Sequence, residues 1–261
     1  MRRVLLTMTY KIASWNVNSI KARLTHVQDF LATQKPDILF LQELKGEIFP
    51  DISPEYHAIF TNQKAYNGVA ILSRTPVTLV TTKLDGDDTD EQTRYIEADW
   101  NGIRLINIYL PNGNPLGTEK FEYKIKWMQR LFKKLNELKS ERIPFIIGGD
   151  FNVIPHDIDC YDPALWRGDA LFHPDTIAQF RRLINLGLTD ALRVFNPAPE
   201  TYTFWDYQAG AWPRNKGIRI DHFLTSPAIT DRLLNCTIDK TPRGWDTPSD
   251  HTPIIVEISE H

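Results

Sequence analysis

The sequence predicts a fold of the α/β (α+β) class. In this fold two mixed β-sheets pack face to face, and helices cover their outer faces. Short apolar runs of β-type recur along the chain, amphipathic helical segments lie between some of them, and Asn101-Gly102 joins two of the runs. That dipeptide favours a type I′ hairpin turn, which needs positive φ at both positions. Helices combined with an antiparallel hairpin argue against an all-parallel nucleotide-binding sheet.

Strands are predicted where a β-type apolar run is bounded by turn residues. The predicted strands are 11–17, 37–43, 68–74, 144–153, 219–226 and 252–259, with two more inside 95–110 on either side of the hairpin turn. Helices are predicted after Ser19, over 118–140 and over 175–187, where Gly187 is placed to end the helix. In 118–140, helical spacing relates Phe121, Ile125, Met128, Phe132, Leu135 and Leu138. The lysines and arginines between 120 and 134, Lys124 included, are assigned to a solvated helix face.

Length and composition predict one domain, residues 11–261, after an N-terminal extension of residues 1–10. The chain has 261 residues, 42% of them hydrophobic and 24% charged, as in ordinary soluble proteins. Lys and Arg number 30 against 33 Asp and Glu, so the net charge is 30 − 33 = −3. This balance neither supports nor excludes nucleic-acid binding, because a basic face can coexist with an acidic site.

Cysteine usage and the N-terminus predict a cytoplasmic protein. Cys160 and Cys236 lie far apart in no metal-type spacing, which suits free thiols in a reducing compartment. The N-terminal segment MRRVLLTMTYK has an apolar run too short for a signal peptide, and no run approaches the length of a membrane span. No membrane partner is expected. Whether Met1 or Met8 is the true start is left open.

Polar side chains stand where the apolar runs end, and they are drawn from a narrow set of residue types. They are Asn16, Asn18, Gln42, Glu43, Lys45, Tyr109, Asn112, Asp150, Asn152, Asp221, Asp250 and His251. One polar strand end is explained by an ordinary solvated turn, which is the alternative reading for Asp150 and Asn152 alone. Several such ends of the same chemistry are better explained by a shared cleft on a rigid sheet.

The chemistry of this set favours phosphoester hydrolysis. Carboxylate and amide oxygens are ligands for Mg²⁺ or Mn²⁺ rather than zinc, and Glu43 is the best single candidate. His251 can hold a proton and contact a phosphate oxygen, with Asp221 as the carboxylate that orients it. Asp150 is placed to take a proton from an attacking water. Each residue alone has an ordinary structural explanation, so the hypothesis depends on the whole constellation.

A series of motifs resembles the exonuclease III family of AP endonucleases, within the endonuclease/exonuclease/phosphatase superfamily. In chain order, within residues 11–258, they are SWNVNSIKARL, PDILFLQELK, NIYLPNGNP, IIGGDFNV, TFWDY, GIRIDHFLTS and PSDHTPIIVEI. The resemblance implies a four-layer α/β sandwich. It also implies a divalent-metal-dependent enzyme, using Mg²⁺ or Mn²⁺, that cleaves the DNA backbone 5′ to abasic sites. Trimming of 3′ ends as an exonuclease, phosphatase or phosphodiesterase is implied as well.

Carried over residue by residue, the resemblance implies roles for the strand-end residues. Catalytic roles fall on Tyr109, Asp150, Asn152, Asp221 and His251, and metal-site roles on Glu43, Asn16 and Asp250. Substrate contacts fall on Asn112, Lys45, Phe204, Trp205, Ile218 and Ile220. For Trp205, core packing is an equal alternative. Ile218 stands where some relatives have Trp, and Pro115 where some have Arg, which leaves the balance of endonuclease to exonuclease open.

Two other functions compete with a DNA repair nuclease. One is a superfamily phosphodiesterase acting on a phosphoinositide, lipid or RNA, against which TFWDY upstream of GIRID speaks. The other is a nonenzymatic nucleic-acid-binding relative, in which the polar strand-end residues should have decayed, yet all are intact. The expected partner is double-stranded DNA with abasic sites or blocked 3′ ends, and the expected state is a monomer. The sequence leaves open the number of metal ions, activity on damaged bases and any protein partners.

Overall fold

Two six-stranded mixed sheets form the centre of the computed structural model, which describes residues 9–260. The strands are β1 (Thr9–Asn16), β2 (Ile38–Gln42), β3 (His57–Thr61), β4 (Val69–Ser73), β5 (Thr78–Thr81), β6 (Tyr95–Trp100), β7 (Ile103–Tyr109), β8 (Phe145–Asp150), β9 (Thr189–Asp190), β10 (Asp221–Thr225), β11 (Leu233–Ile238) and β12 (Ile254–Ser259). The helices are α1 (Leu24–Gln34), α2 (Glu119–Ser140), α3 (Pro163–Trp166), α4 (Pro174–Asn185), α5 (Ala191–Phe195) and α6 (Pro227–Thr230).

The strand orders confirm the predicted fold class. One sheet runs β11-β12-β1-β2-β4-β3 and the other β5-β6-β7-β8-β10-β9. Buried hydrophobic residues of both inner faces, such as Ile12, Phe40, Leu105 and Ile146, form one core between the sheets. A second core joins α2 and α4 to the outer face of one sheet, and a third joins α1 to the outer face of the other. The result is the predicted four-layer sandwich.

The structure contains the strands and helices whose sequence patterns are strong. Strands whose sequence pattern is weak were not predicted. Asn101 (φ 49°) and Gly102 (φ 77°) form the β6–β7 turn, and Gly187 (φ 92°) follows α4 as expected. The missed strands β3, β5, β9 and β11 lie at sheet edges, and none of them is buried along its length, so they lack the buried-strand pattern. β1 starts at Thr9 rather than at residue 11, and residues 1–8, with the question of Met1 or Met8, lie outside the described part.

No helix among residues 9–260 combines the length and the apolar character needed to cross a membrane. Both cysteines, Cys160 and Cys236, are buried and free.

Candidate active site

Topology brings the polar strand ends together at one edge of the sandwich. β1 and β2 are parallel, as are β7 and β8, so the carboxyl ends of each pair meet at the same edge. β10 is antiparallel to β8 and begins there, with Asp221 paired to Asp150. His251 lies just before β12, which runs antiparallel to β1. A cavity of about 310 Å³ opens where these ends converge.

Most of the predicted site residues line this cavity, and the others fall in three places. Its walls include Glu43, Tyr109, Asn112, Asp150, Asn152, Phe204, Ile218, Ile220, Asp250 and His251. Asn16 and Asp221 are fully buried directly behind the wall, hydrogen-bonded to residues that line it. Lys45 stands at the rim beside Glu43, with its side chain 32% exposed. Trp205 lies elsewhere, as described below.

His251 and Asp221 form a buried charged pair. His251 Nδ1 donates to Asp221 Oδ2 at 2.9 Å, while His251 Nε2 lies 3.8 Å from Asp150 Oδ2. Burial would lower the pKa of the imidazole, but Asp221, and beyond it Asp150 and Asp250, raise the pKa of His251 to about 10. The ring is therefore an imidazolium at neutral pH, with its Nε2–H directed into the site beside Asp150.

Asp150 is a buried carboxyl group whose pKa is raised by its surroundings. It is buried, its Oδ1 accepts the backbone N–H of Asn152 at 2.8 Å, and its Oδ2 accepts from Asn16 Nδ2 at 3.0 Å. Burial raises the pKa of Asp150 to about 7, a shift that His251 opposes and that Asp221 and Glu43 reinforce. A carboxyl group poised near neutrality suits proton transfer to or from water.

β8 ends at Asp150, so Asp150 and Asn152 do not lie on one face of an extended strand, although two residues at this spacing in a strand would. Asn152 adopts a left-handed conformation (φ 48°), and the two residues meet instead through the hydrogen bond from Asn152 N to Asp150 Oδ1. Asn18, Glu43 and Lys45 are also left-handed, at φ 46°, 55° and 51°. Such sparsely populated backbone conformations persist only where surrounding contacts determine them, as they do around this cavity.

Glu43 is held by an amide and an ammonium. Its Oε1 accepts from Asn16 Nδ2 at 2.8 Å, and its Oε2 pairs with Lys45 Nζ at 2.6 Å. Burial would raise the pKa of Glu43, but Lys45 and Asn16 hold it below the ordinary value. In this geometry Asn16 contacts both carboxylates through Nδ2, while its Oδ1 accepts the N–H of Asn18 at 3.0 Å. Direct metal coordination by Asn16 therefore remains a prediction.

The site fits a divalent cation. Carboxylate oxygens of Glu43 and Asp150 lie within 4.8 Å of each other and of a ring nitrogen of His251, and the two carboxylates are the donors available to a cation while the His251 ring is charged. The carboxylates of Glu43, Asp150 and Asp221 crowd one small buried volume, and their mutual repulsion contributes to the raised pKa of Asp150. A divalent cation that prefers oxygen ligands would reduce the repulsion between these carboxylates. Asp250 lies at the margin of the group, where its Oδ1 accepts from Asn18 Nδ2 at 3.1 Å.

Tyr109, Asn112 and Asn152 form another part of the cavity wall. Burial and the nearby Glu43 and Asp150 carboxylates raise the pKa of Tyr109 above its ordinary range, so its hydroxyl stays protonated. The Arg94 guanidinium lies over the Tyr109 ring, 4.6 Å from its centre. Asn112 Nδ2 donates to Asn152 Oδ1 at 3.1 Å, and Asn152 Nδ2 donates to Leu110 O at 2.9 Å. The wall therefore presents a neutral phenol and two interlocked amides.

Phe204, Ile218 and Ile220 provide an apolar wall, but Trp205 does not. The Phe204 ring packs edge-on against His251 at 5.0 Å, and its backbone bridges to both Ile218 and His251. The adjacent Trp205 points the other way, as successive residues of an extended segment do. It is fully buried in a separate cluster, 4.8 Å from Trp212. The predicted substrate contact of Trp205 is thus replaced by core packing.

Sequence reasoning assigned no role to several residues of the site, although it placed Asn18 among the polar strand ends. Asn18 joins Asp250 to Lys45, since its Nδ2 donates to one and its Oδ1 accepts from the other. Trp166, Asp169 and Leu171 line the cavity from the segment around α3. The signal for Asn18 was its place at the end of the first strand. The other three come from the end of α3 and the irregular segment that follows it, whose position depends on the folded chain.

Comparison with known proteins decides the family. Residues 13–251 match the Endonuclease/Exonuclease/phosphatase family. The chain belongs to this family. It is 32% identical over 265 residues to "Exodeoxyribonuclease III" of Haemophilus influenzae, an alignment that covers 95% of this chain and 99% of that relative. The resemblance inferred from the motifs is confirmed.

Solved structures of this family superpose closely on the chain. The 3′ phosphatase NExo from Neisseria, bound to a product DNA hairpin, matches with a TM-score of 0.91 and 39% identity over 96% of this chain and 99% of that one. An AP endonuclease from Archaeoglobus fulgidus matches with a TM-score of 0.89 and 37% identity over 97% and 100% of the two chains. These relatives confirm the predicted enzyme class, a hydrolytic nuclease.

Proposed function

We propose that this chain is a DNA repair nuclease that cleaves the backbone 5′ to abasic sites and removes nucleotides or blocking groups from 3′ ends. The observation that carries the proposal is a single cavity in which carboxylates, a charged histidine and an apolar wall all meet. The charged part suits hydrolysis of a phosphodiester, and the apolar part suits a sugar that lacks its base. The named relatives include both an AP endonuclease and a 3′ phosphatase.

The proposed cofactor is Mg²⁺ or Mn²⁺, held by Glu43 with help from Asn16 and Asp250. When bound, such an ion supplies neutralisation of phosphate charge and stabilises a leaving oxygen. The hard oxygen donors of Glu43 and Asp150 are the ligand type that these two ions prefer. Lys45 pairs with Oε2 of Glu43, the carboxylate proposed to hold the ion. Because Lys45 lies at the rim of the cavity, its ammonium group can contact a phosphate when the ion occupies Glu43.

In the proposed mechanism Asp150 orients a water molecule and accepts its proton. Asn152 holds the Asp150 carboxylate through its backbone N–H, and Asn16 holds it from the other side. His251 donates from Nε2 to a phosphate oxygen that gains charge in the transition state, and Asp221 keeps that ring charged and oriented. Tyr109 and Asn112 contribute further donors to the phosphate.

The reactive sugar is proposed to lie against Phe204, Ile218 and Ile220. All three line the cavity, and Phe204 contacts the ring of His251, which places the apolar wall directly beside the phosphate-binding groups. The protein is proposed to act as a monomer. The two free buried cysteines support a cytoplasmic location.

The test uses two labelled duplexes, one with an internal tetrahydrofuran abasic analogue and one with a 3′ phosphate at a nick. Incubation with Mg²⁺ should nick the first strand 5′ to the analogue and convert the 3′ phosphate of the second to a hydroxyl. Both reactions should stop in EDTA, and an undamaged duplex should not be nicked. Binding of the damaged duplexes without cutting would refute the enzymatic proposal. Reaction at the 3′ phosphate alone would restrict the function to end processing.

A further inference from the structure

Helix α2 buries a lysine. Lys124 is fully buried, although the sequence pattern assigns it to a solvated face with its basic neighbours. The residues that α2 buries include Met128 and Leu131, which follow Lys124 by four and seven positions. Helical spacing therefore puts Lys124 at the end of the buried stripe, where α2 approaches the active-site loops.

The amino group of Lys124 binds two main-chain carbonyls. Its Nζ donates to Asn112 O at 2.9 Å and to Asn152 O at 2.6 Å. Asn112 follows β7 and Asn152 follows β8, so one side chain joins the loops at the ends of two neighbouring strands. Within residues 9–260, no carboxylate oxygen lies within 4.0 Å of this Nζ, which distinguishes Lys124 from an ordinary buried ion pair.

The surroundings of Lys124 are built to accept its long side chain. A Cβ on Gly113 would lie 2.6 Å from Lys124 Cδ, and Gly113 has a positive φ of 89°, so glycine is required there for two reasons. Burial lowers the pKa of Lys124 to about 7. A neutral amine still has two N–H donors, which equals the number of carbonyls to be satisfied. The two hydrogen bonds are therefore available in either protonation state.

The two residues that Lys124 holds are interlocked at the phosphate side of the cavity. Asn112 Nδ2 donates to Asn152 Oδ1, and Asn152 N donates to Asp150 Oδ1. Asn152 has a left-handed backbone conformation, which costs free energy in a residue with a side chain. Contacts from other parts of the chain must therefore hold Asn152 in place. The hydrogen bond from Lys124 Nζ to the Asn152 carbonyl is one of these contacts.

We propose that Lys124 is a positioning residue for the reaction, whose Nζ fixes the Asn112 and Asn152 loops so that Asn112, Asn152 and Asp150 keep their places around the phosphate. This role rests on the proposed function, and Lys124 acts through the asparagines rather than on the substrate. Because the Nζ bonds set geometry at the reacting phosphate, their loss acts on turnover more than on DNA binding. Misplacement by about 1 Å can cost on the order of 10²-fold in rate.

The test compares Lys124→Met with Lys126→Met on the abasic and 3′-phosphate duplexes. Lys126 lies on the same helix with its side chain 74% exposed, so it controls for loss of one positive charge. Lys124→Met keeps the length of the stem and removes the donors. It should lower kcat about 10- to 100-fold, with little change in the Kd for DNA measured in EDTA, whereas Lys126→Met should behave as wild type. In an Asn152→Ala background the effect of Lys124→Met should shrink, because the side-chain amide that Lys124 positions through the Asn152 carbonyl is already absent.

The outcomes separate the two proposals. A wild-type chain that cuts neither duplex overturns the proposed function and the role of Lys124 with it. A wild-type chain that cuts, beside a folded Lys124→Met variant with the same kcat or with a defect fully additive to Asn152→Ala, overturns the role of Lys124 alone. Should Lys124→Met not fold, Lys124→Gln replaces it, since its shorter side chain cannot reach both carbonyls. A kcat well below wild type then supports the role, and a wild-type kcat overturns it.

Discussion

Replacement of Asp221 by Asn tests how the protein keeps His251 charged. The pair is fully buried, with 2.9 Å between His251 Nδ1 and Asp221 Oδ2. Burial by itself lowers the pKa of the imidazole, and Asp221 is the leading group among those that raise it to about 10. Asn has nearly the same shape as Asp but no charge. Asp221→Asn should therefore lower the pKa of His251 while leaving the ring in place.

The size of the effect follows from the loss of one charged hydrogen bond. A hydrogen bond to a charged group contributes roughly 1.5–3 kcal/mol, and one pKa unit corresponds to about 1.36 kcal/mol. The pKa of His251 should then fall by about one to two units, to about 8–9. At pH 7 the ring remains charged in both proteins. At pH 9.5 the charged fraction in the variant should be roughly tenfold smaller than in the wild type.

The assay is kcat/KM for cleavage at the abasic analogue, measured from pH 7 to 9.5 at saturating Mg²⁺. The ratio of wild type to Asp221→Asn should increase by about tenfold across this range. Use of a ratio cancels any ionisation of water or DNA that both proteins share. A ratio that stays constant from pH 7 to 9.5 would refute the reasoning, because it would mean that Asp221 does not set the charge of His251.

Stability without metal gives an independent check on the same pair. The folded protein binds a proton at His251 more tightly than the unfolded chain does, so this contribution is complete below about pH 6.5 and is lost as the pH rises towards 10. Asp221→Asn should therefore lower Tm most at pH 6 to 7, in the presence of EDTA. The difference in Tm from the wild type should narrow at higher pH.

Four further results are expected. Glu43→Ala should raise the Mg²⁺ concentration for half-maximal rate at least about tenfold, and an unchanged titration would mean that Glu43 is not a ligand. Asp150→Asn should lower kcat by about 10²–10⁴-fold while damaged DNA still binds, so near-normal turnover would contradict its role. Trp205→Ala should lower the free energy of unfolding by about 3–5 kcal/mol, whereas normal stability with weakened DNA binding would restore a substrate role. The free energy of unfolding of the wild type, relative to that of Lys124→Met, should rise from about pH 7 to 10, because Lys124 binds fewer protons in the folded chain than in the unfolded chain over this range. Chemical denaturation measures this difference, and a difference that does not change with pH would contradict the lowered pKa of Lys124.

The buried strands and their polar ends were predictable because both leave marks on the local sequence. β2, β4 and β8 are buried along their whole length, so each reads as an apolar run bounded by turn residues. Once these runs are taken as neighbouring strands, their polar ends must lie close together, which is why the residues of the cavity were found. The edge strands β3 and β5 expose much of their surface and bear no such mark.

The direction in which each side chain points depended on the folded chain. Phe204 and Trp205 are equally apolar neighbours, yet one lines the cavity and the other lies in a separate core, because an extended backbone alternates its faces. Asn152 meets Asp150 through a left-handed turn that no strand pattern encodes. The backbone conformation at the strand ends sets these side-chain directions, and the periodic pattern of the sequence does not extend to those residues.

The sequence by itself thus determined the fold class, the family and the residues that meet at the strand ends. The hydrophobic periodicity and the order of the motifs can both be read directly from the amino-acid sequence. The tertiary structure alone decided the buried position of Lys124, the packing of Trp205 and the contribution of Trp166, Asp169 and Leu171 to the cavity wall. A lysine between other charged residues reads as solvated until α2 is placed against the two loops whose carbonyls Lys124 binds. Burial is a property of the assembled chain, and these assignments depend on contacts between segments far apart in sequence.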